Sequence, residues 1–348
     1  MKLLNYLLVV LLLVSACKED EKEDTPVFSA DYGSGMYIVT ENGISFYNDQ
    51  DSFPQVKNQI FKTVNNTTIV NPKKIKFRET KAYIVADHQI VIVNIETFGN
   101  KEIIDGFTNA VDFDFVSHDR LFVVDKGDSK VKAVDLLTLD ITSDIETGDN
   151  TQPVFIVSKW YRSIVMNGGR VADSLRDSTI VAIDYRDELE SFADFNGSIY
   201  VGDNPNSAVW INDLKILCKG IYDPNNSSNN TEASLVKVNA WDMQVIWTRN
   251  LSNIFNAQNL ISDDTDAKYF FTAIDGVYQM NNDGSNVILL TDLPVSDVLF
   301  LTAAKPNILY INDAANNPNT IYGYNINTSV FSDTIVVDGN VRDIAFYE

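Results

Sequence analysis

The feature that most constrains the fold of this chain is a unit of four short strand-like segments that recurs along it. In the clearest copy, the apolar run Leu121–Asp125 is typical of a strand covered on both faces. A turn with Gly and Asp follows, and polar and apolar residues then alternate in Lys130–Asp135, as in a half-buried strand. The approach segment Ala110–Val116 and a last segment, Ile141–Thr147, complete a predicted four-stranded antiparallel sheet.

Seven copies of this unit cover the chain, and one segment, Val341–Tyr347, is left over. The first copy has only Gly35–Thr40, Gly43–Tyr47 and Asn58–Val64, and no approach strand precedes it. A ring explains both facts, because the last segment would complete the first sheet and leave no open array of edges. We therefore predict an all-β fold, a seven-bladed β-propeller closed by the C-terminal strand pairing into blade 1. The alternative, tandem β-sandwiches, would need linkers that the sequence lacks.

The N-terminus indicates export. Met1-Lys2 is basic and Leu3–Val14 is an apolar stretch too short to span a bilayer permanently. Val14-Ser-Ala-Cys17 resembles the bacterial lipobox, which implies cleavage before Cys17 and lipid on its sulfur; the alternative is an ordinary secretory signal. The expected organisation is a lipoprotein signal peptide at 1–16, a lipidated Cys and acidic tether at 17–34, and the propeller at 35–348.

The acidic composition limits the partners. Against 27 Lys and Arg stand 48 Asp and Glu, a formal net charge of −21. Such a chain is a poor match for nucleic acid or for an anionic membrane surface, so we expect membrane contact through the lipid anchor only. Solubility explains the acidity; a cationic ligand drawn by the field is the alternative. Cys218, without a second unmodified Cys to pair with, is predicted to be a small, partly buried residue.

Short phrases within the units carry a family resemblance. Ala82-Tyr-Ile-Val, Leu121-Phe-Val-Val-Asp and Tyr200-Val-Gly-Asp-Asn-Pro-Asn-Ser-Ala208 resemble YVTN-type propeller repeats. The acidic run at 18–24, just after Cys17, resembles the export signal of Bacteroidota surface lipoproteins. Residues 35–348 are similar to a group of such lipoproteins, whose best understood members capture cobalamin for a TonB-dependent transporter. The resemblance implies an outer-membrane protein facing the cell exterior, a corrinoid as the candidate small-molecule ligand, and a TonB-dependent outer-membrane transporter as partner.

Ligands of propellers usually bind on the face that carries the loops between second and third strands and the turns between blades. Two such loops, 167–177 and 219–233, are long and come from adjacent blades. These loops and the nearby turns supply the predicted ligand-binding residues: Asn167, Arg170, Arg176, Tyr222, Asn150, Asn204 and Asn206. Tolerated insertions and local Asx turns remain the alternatives. The other large aromatic residues are predicted to pack between blades: Trp160, Tyr161, Trp210, Trp241 and Trp247.

Catalytic patterns are weak. The two His residues, His88 and His118, fall in different blades and are expected on opposite faces, which disfavours a Ser-His-Asp triad or a His-rich metal site. No Gly-rich phosphate loop opens a helix. The sequence thus predicts a binding protein that is not an enzyme, with no cofactor, no metal and no catalytic residue. Two alternatives stay open: an envelope module that binds protein or glycan without a transport role, and a propeller hydrolase or lyase.

Overall fold

The computed structural model describes residues 32–48, 50, 54–148, 152–169, 177–186, 192–293, 299–302 and 305–348. Within these residues the strands form seven small antiparallel sheets, the blades of a seven-bladed propeller. The first strands of successive blades contact one another all the way round, so they surround a central channel. The prediction of an all-β propeller is confirmed.

The strands of the first half of the chain begin with β1 (Gly35–Thr40) and β2 (Gly43–Tyr47), which belong to blade one. Blade two contains β3 (Pro72–Arg78), β4 (Lys81–Ala86), β5 (Gln89–Asn94) and β6 (Glu102–Asp105). Blade three contains β7 (Ala110–Phe115), β8 (Arg120–Asp125), β9 (Lys130–Asp135) and β10 (Asp140–Glu146). Blade four contains β11 (Phe155–Lys159), β12 (Arg162–Met166), β13 (Thr179–Arg186) and β14 (Phe192–Tyr200).

The second half continues in the same order, from the channel outwards. Blade five contains β15 (Pro205–Trp210), β16 (Leu214–Cys218), β17 (Ser234–Asn239) and β18 (Gln244–Asn250). Blade six contains β19 (Gln258–Ser262), β20 (Lys268–Ala273), β21 (Gly276–Asn281) and β22 (Ile288–Thr291). Blade seven contains β23 (Leu299–Thr302), β24 (Lys305–Asp313), β25 (Asn317–Asn325) and β26 (Val330–Val336), and β27 (Val341–Tyr347) ends the chain.

The C-terminal strand closes the ring as predicted. β27 pairs antiparallel with β1, with Ile344 opposite Ile38, and becomes the innermost strand of blade one. Ile344 and Val341 are both buried there against residues of blade seven. The two ends of the propeller are therefore joined by backbone hydrogen bonds and a shared apolar core.

The outer edge of blade one differs from the prediction. Asn58–Val64 was expected to be a strand, but Ile60–Asn65 is a short α-helix, α1. Ile60, Phe61 and Val64 are spaced for one helical face rather than for strand alternation, and the first two are buried. Only a single bridge, between Phe46 and Lys57, continues the sheet beyond β2. A short 3₁₀-helix, Ser227–Asn229, lies in the loop before β17.

The core lies between the blades. The second strands are buried on both faces, as the apolar runs predicted; every residue of β12 and of β16 is buried. One cluster joins Val85 and Ile92 of blade two to Phe113 and Val123 of blade three. Such packing face to face between neighbouring sheets means that each blade is stabilised by the next.

One expectation about an individual residue needs correction. Cys218 is fully buried rather than partly buried, and burial raises the pKa of its thiol to about 12. The ring of Tyr32, which precedes β1, contacts the rings of Phe46 and Phe98, and the compact unit starts at Tyr32. Among the described residues, no helix has the length and apolar character needed to cross a membrane.

Removing the closing strand tests the ring. We expect a chain that ends at Gly339 to lose its cooperative unfolding transition, because burial of Val341 and Ile344 alone contributes about 3–6 kcal/mol and the edge of β1 becomes open. Circular dichroism during heating and size-exclusion chromatography measure this. As control, removal of Glu348 alone deletes the hydrogen bond that its carboxylate accepts from Thr302 and leaves β27 in place, and should cost on the order of 1 kcal/mol. A monomeric truncated chain with unchanged melting would contradict closure by β27.

Candidate functional site

The two ends of the propeller carry different connections. The turns between second and third strands and the turns between blades lie together on one end, which we call the upper face. Asn42 of the β1–β2 turn donates to the carbonyl of Asp338 (2.6 Å), and Asn204 of the β14–β15 turn donates to Gly220 (3.0 Å). The turns between first and second strands and between third and fourth strands form the opposite, lower face.

A cavity of about 430 Å³ lies where the central channel opens on the upper face. Its lining residues are Asn71, Lys73, Gln258, Val341 and Arg342. Four of them begin the innermost strands β3, β19 and β27, and Asn71 directly precedes β3. We call this cavity the channel mouth.

Two of the cations at the channel mouth are placed by β-bulges. In β3, Pro72 pairs with Ala86 and Lys74 with Val85, so Lys73 is an extra residue without a partner opposite it. Arg342 is the extra residue of β27 in the same way. A bulge re-aims a side chain and is common beside functional sites. The equivalent bulge in β15 holds Asn206, one of the predicted site residues.

A polar network fixes both cations. Lys73 Nζ lies 2.5 Å from Asp87 Oδ1 and also donates to Asn109 Oδ1 and to the carbonyl of Ala110 (2.8 Å). Asn71 donates from its Nδ2 to Asp87 Oδ2 and accepts from Arg342 Nη1. A second bond from Arg342 reaches the carbonyl of Pro72 at 3.0 Å. The basic groups therefore have little freedom and hold their charges in set positions at the opening.

A third cation stands beside them. Burial lowers the pKa of the Lys126 ammonium, and the positive charge of Lys73 lowers it further, so the two amines lie close enough to repel. Within the described part of the chain, neither Lys126 nor Arg342 has a carboxylate partner. Two cations, Lys73 and Arg342, thus line the mouth, and Lys126 and the carboxylate of Asp87 lie beside Lys73, in a protein whose net charge is −21.

Below the mouth, the channel contains a second charged cluster. Lys74 and Lys76 of β3 each place Nζ 3.1 Å from Asp112 Oδ1 of β7. Lys74 also lies 5.1 Å from the ring centre of Phe155 in blade four. Since blades two and four are not neighbours, this contact is possible only through the central space. The lysines therefore line the channel rather than the gap between two blades.

The carboxylates of this cluster also join blades. Asp343 Oδ2 accepts from the backbone N–H of Ile75 (3.0 Å), and Asp112 Oδ2 accepts from Ile156 (3.1 Å). Burial alone would raise the pKa of Asp112, but Lys74 and Lys76 outweigh it and hold that pKa below its ordinary value. Asp343 is different: burial raises its pKa to about 6, although Lys74 acts in the other direction.

Another cavity, of about 740 Å³, lies against α1. Seven polar residues line it: Asn58, Gln59, Lys62, Thr63, Asn66, Thr67 and Thr68. Its only charged lining residue is Lys62. Ligand sites combine a shaped cavity with convergent groups that fix orientation. The channel mouth has such groups, and we therefore take it as the candidate site.

The predicted site residues fall into three sets. Asn150, Arg170 and Arg176 lie outside the described residues. Asn167 is fully buried, where its Nδ2 donates to the carbonyl of Thr147 (2.9 Å) and to Thr179 Oγ1 (3.0 Å). Such bonds give Asn167 a role in holding the base of its loop.

The remaining predicted residues lie on the upper face. Asn204 has a left-handed backbone (φ 55°), and Asn206 donates to the carbonyl of Ala257 (2.8 Å). Tyr222 is 43% exposed, with its ring 6.1 Å from that of Phe255, and is the predicted residue most accessible to a ligand. Their ligand contacts stay predictions.

The base of the loop 167–177 is held by close backbone contacts. A Cβ on Gly168 would lie 2.0 Å from the carbonyl oxygen of Pro205, and one on Gly169 would lie 2.5 Å from that of Gln152. Only glycine permits this approach, so the loop leaves the sheet directly over the boundary between blades four and five. Close packing of the backbone is therefore sufficient to explain why glycine occurs at positions 168 and 169.

Sequence reasoning missed Lys73, Lys126 and Arg342. Lys73 and Arg342 are the second residues of β3 and β27, and Lys126 directly follows β8. Alternation identifies all three strands, but it does not show the bulges that redirect the side chains of Lys73 and Arg342. A signal was nevertheless available: once the ring is assumed, all three cations fall at the upper ends of strands in an acidic chain. Among the described residues, no group of three or more His, Cys, Asp or Glu is arranged to hold a metal ion.

No protein-family model and no curated protein matches the sequence. Solved structures do match in fold. The chain is similar to a proposed 6-phosphogluconolactonase from Bacteroides fragilis (TM-score 0.67, 10% identity, 92% of this chain and 99% of that one). It is also similar to Kuenenia stuttgartiensis hydrazine synthase (0.62, 14%, 78% and 88%) and to the dihydro-heme d1 dehydrogenase NirN in complex with DHE (0.57, 8%, 92% and 77%). At these identities the likeness shows the propeller fold alone.

These neighbours correct one prediction. The chain was predicted not to be an enzyme, because catalytic patterns are weak. Yet proteins with this fold include hydrazine synthase and the dehydrogenase NirN. Residues that converge on a propeller channel come from separate blades, so short motifs do not reveal them. The weakness of catalytic patterns is therefore no ground for excluding catalysis.

The raised pKa of Asp343 predicts a pH effect on stability. The folded protein retains this proton at pH values where the unfolded chain has released it, so the contribution of Asp343 to stability falls as pH rises from about 4 to about 6. Asp343→Asn keeps an acceptor for Ile75 and removes the titration. Relative to wild type, the variant should gain on the order of 2 kcal/mol between pH 4 and pH 7.

Urea denaturation across this pH range measures the gain, with the exposed Asp264→Asn as the matched control. Parallel stability profiles for wild type and Asp343→Asn would contradict the assignment.

Proposed function

We propose that the protein is a lipoprotein anchored through Cys17 on the outer face of the outer membrane, where it captures a small anionic nutrient at the channel mouth. The observation that carries the capture is the gathering of Lys73, Lys126 and Arg342 at the upper opening of an otherwise strongly acidic protein. The lipobox-like residues 14–17 and the acidic run at 18–24 support this cellular location.

The electrostatic argument concerns the free protein. Burial lowers the pKa of the Lys126 ammonium and the nearby charge of Lys73 lowers it further, so holding both ammonium groups in this partly buried site costs free energy. A bound anion would offset the repulsion and accept charge-assisted hydrogen bonds from Lys126 and Arg342, while Lys73, whose three N–H donors already have acceptors, would attract it through its charge. In an acidic protein the surrounding field repels anions, so only a locally cationic site selects them. An anionic group is therefore the chemistry that fits the mouth.

A corrinoid remains the candidate ligand, supported by the resemblance of residues 35–348 to cobalamin-capturing lipoproteins. The mouth is smaller than a corrinoid, so it would receive only part of such a ligand. Cobalamin carries a phosphodiester, which fits the cations, while its macrocycle would lie across the upper face towards Tyr222. Transfer to a TonB-dependent outer-membrane transporter is part of the same proposal.

Calorimetric titration of the full chain with cyanocobalamin tests the capture. We expect one-to-one binding that weakens about tenfold to a hundredfold in Lys126→Gln, since a hydrogen bond to a charged group contributes about 1.5–3 kcal/mol. The matched control is Lys101→Gln, which removes an exposed cation from the lower-face turn between β5 and β6. It should bind like wild type.

The outcomes separate the parts of the proposal. Equal binding by wild type and Lys126→Gln would remove the mouth from the site. Absence of cyanocobalamin binding, together with binding of inorganic phosphate that Lys126→Gln abolishes, would keep the anion site and remove the corrinoid.

The pH dependence gives a separate prediction. Binding requires the Lys126 ammonium, whose pKa lies below the ordinary value of 10.5. Affinity for the anion should therefore fall as pH rises through this lowered pKa, and the fall should be absent in Lys126→Gln. Titrations at several pH values between 7 and 10 measure it. An identical pH profile in the variant would show that Lys126 does not act on the ligand.

A further inference from the structure

Four aromatic side chains meet on the lower face, at the boundary between blades four and five. Trp160 and Tyr161 form the β11–β12 turn, Trp210 ends β15, and Trp241 follows β17. Their sequence prediction was packing between blades. Trp210 does pack against buried residues of blades four and five, but Trp160, Tyr161 and Trp241 are 71%, 53% and 37% exposed. We call these four residues the aromatic platform.

The rings of the platform are arranged around Trp241. Trp160 stacks on it with ring centres 5.5 Å apart and planes 17° from parallel. Tyr161 and Trp210 meet it at 5.4 and 5.7 Å with tilted planes. The ring-centre distances and interplanar angles of these three pairs are typical of attractive aromatic contacts. The platform thus presents flat ring faces to solvent in one connected surface.

The position of Trp160 is not explained by folding. Its backbone is left-handed (φ 56°), which is uncommon for a bulky residue and favours Gly or Asn in a tight turn. Its side chain is also the most exposed of the four tryptophan side chains. A large apolar ring therefore stands in a solvent-exposed position on a left-handed residue, where Asn or Gly would be less strained. Strain of this kind is typical of functional sites.

Buried charges hold the platform rigid. Arg162 makes two bonds to the carboxylate of Asp184, at 2.5 and 2.7 Å, and donates to the carbonyls of Ala240 and Trp241, both at 2.7 Å. Its guanidinium lies 5.4 Å from the ring centre of Trp241. One side chain of blade four thus fixes the turn of blade five. A surface ordered before binding loses less entropy when a ligand arrives.

The charge and area of the platform indicate its ligand. Arg162 is paired with Asp184, and the two charged residues next to the exposed tryptophans, Lys159 beside Trp160 and Asp242 beside Trp241, have opposite charges, so the platform has no excess of either sign. The exposed ring surface is about 400 Å², estimated from the area of each ring. A stable protein interface needs about 800 Å² from each partner. An uncharged ligand of small contact area fits better than a protein.

We infer that the aromatic platform binds a neutral glycan through a hexopyranose ring. The C–H bonds on one face of such a ring form a flat apolar surface that stacks on an indole, while its hydroxyls point outwards. Exposed acceptors for hydroxyls lie at the edge of the platform: Asp242 follows Trp241, and Asn212 follows Ile211. The platform is on the face opposite the channel mouth, so this site is separate from the one proposed for the nutrient.

Affinity electrophoresis of the full chain tests the inference. Native gels containing laminarin, dextran, α-mannan or galactomannan measure retardation of the protein by each neutral polysaccharide of hexopyranose units. We expect retardation in at least one gel, and a roughly tenfold weaker effect for Trp160→Ala, from the loss of one stacked ring. Tyr200→Ala, which removes an exposed aromatic ring at the end of β14, away from the platform, is the matched control and should migrate like wild type.

Folding and specificity are checked in the same variants. Trp160 is exposed, so Trp160→Ala should keep the thermal unfolding midpoint of wild type. Excess cyanocobalamin should leave the retardation unchanged, since the two faces are distinct. Absence of retardation in all four gels would overturn the inference, as would equal retardation of Trp160→Ala. A wild-type dimer in sedimentation that Trp160→Ala dissociates would also overturn it and make the platform a protein interface.

Discussion

The structure depends on the pairing of the last strand with the first. β27 and β1 are separated by nearly the whole chain, and their hydrogen bonds turn a row of sheets into a ring. Only in the ring does each sheet have a neighbour on both faces, so closure determines whether the cores between blades exist. Closure also brings Asp343 beside Ile75 and Arg342 beside Asn71. The channel and its mouth are consequences of this one pairing.

Positively charged side chains are concentrated along the channel, although the chain as a whole is strongly acidic. The protein carries a net charge of −21, yet Lys73 and Arg342 line the upper opening, Lys126 lies beside Lys73, and two more cations line the channel below. In the channel, Asp112 forms ion pairs with Lys74 and Lys76 and ties blades three and four together through Ile156. At the mouth, Asp87 pairs with Lys73, and among the described residues Lys126 and Arg342 have no carboxylate partner. The lower cluster is thus explained by stability, whereas the upper one leaves positive charge for a ligand.

The sequence allowed prediction of the strands and of the ring, because alternation and apolar runs report burial directly. α1 was predicted wrongly, because the repeat called for a strand at this position although Ile60, Phe61 and Val64 have helical spacing. Lys73 and Arg342 were missed because a bulge changes the aim of a side chain without changing the pattern around it. Trp160 was predicted to pack between blades because large aromatic side chains are usually buried. The sequence alone does not show that its backbone is left-handed and that it stands in an exposed turn. Contacts across blades, such as those of Arg162 with the carbonyls of Ala240 and Trp241, join residues that are far apart in the sequence and leave no local pattern.

The central claim is that the channel mouth selects an anion. Crystals of the protein soaked in selenate, followed by measurement of anomalous scattering, test it most directly. The account predicts a selenium peak at the channel mouth, within hydrogen-bonding distance of Lys126, Lys73 or Arg342, and its loss in crystals of Lys126→Gln. Selenate bound only at other cations of the surface, with none at the mouth, would contradict the account.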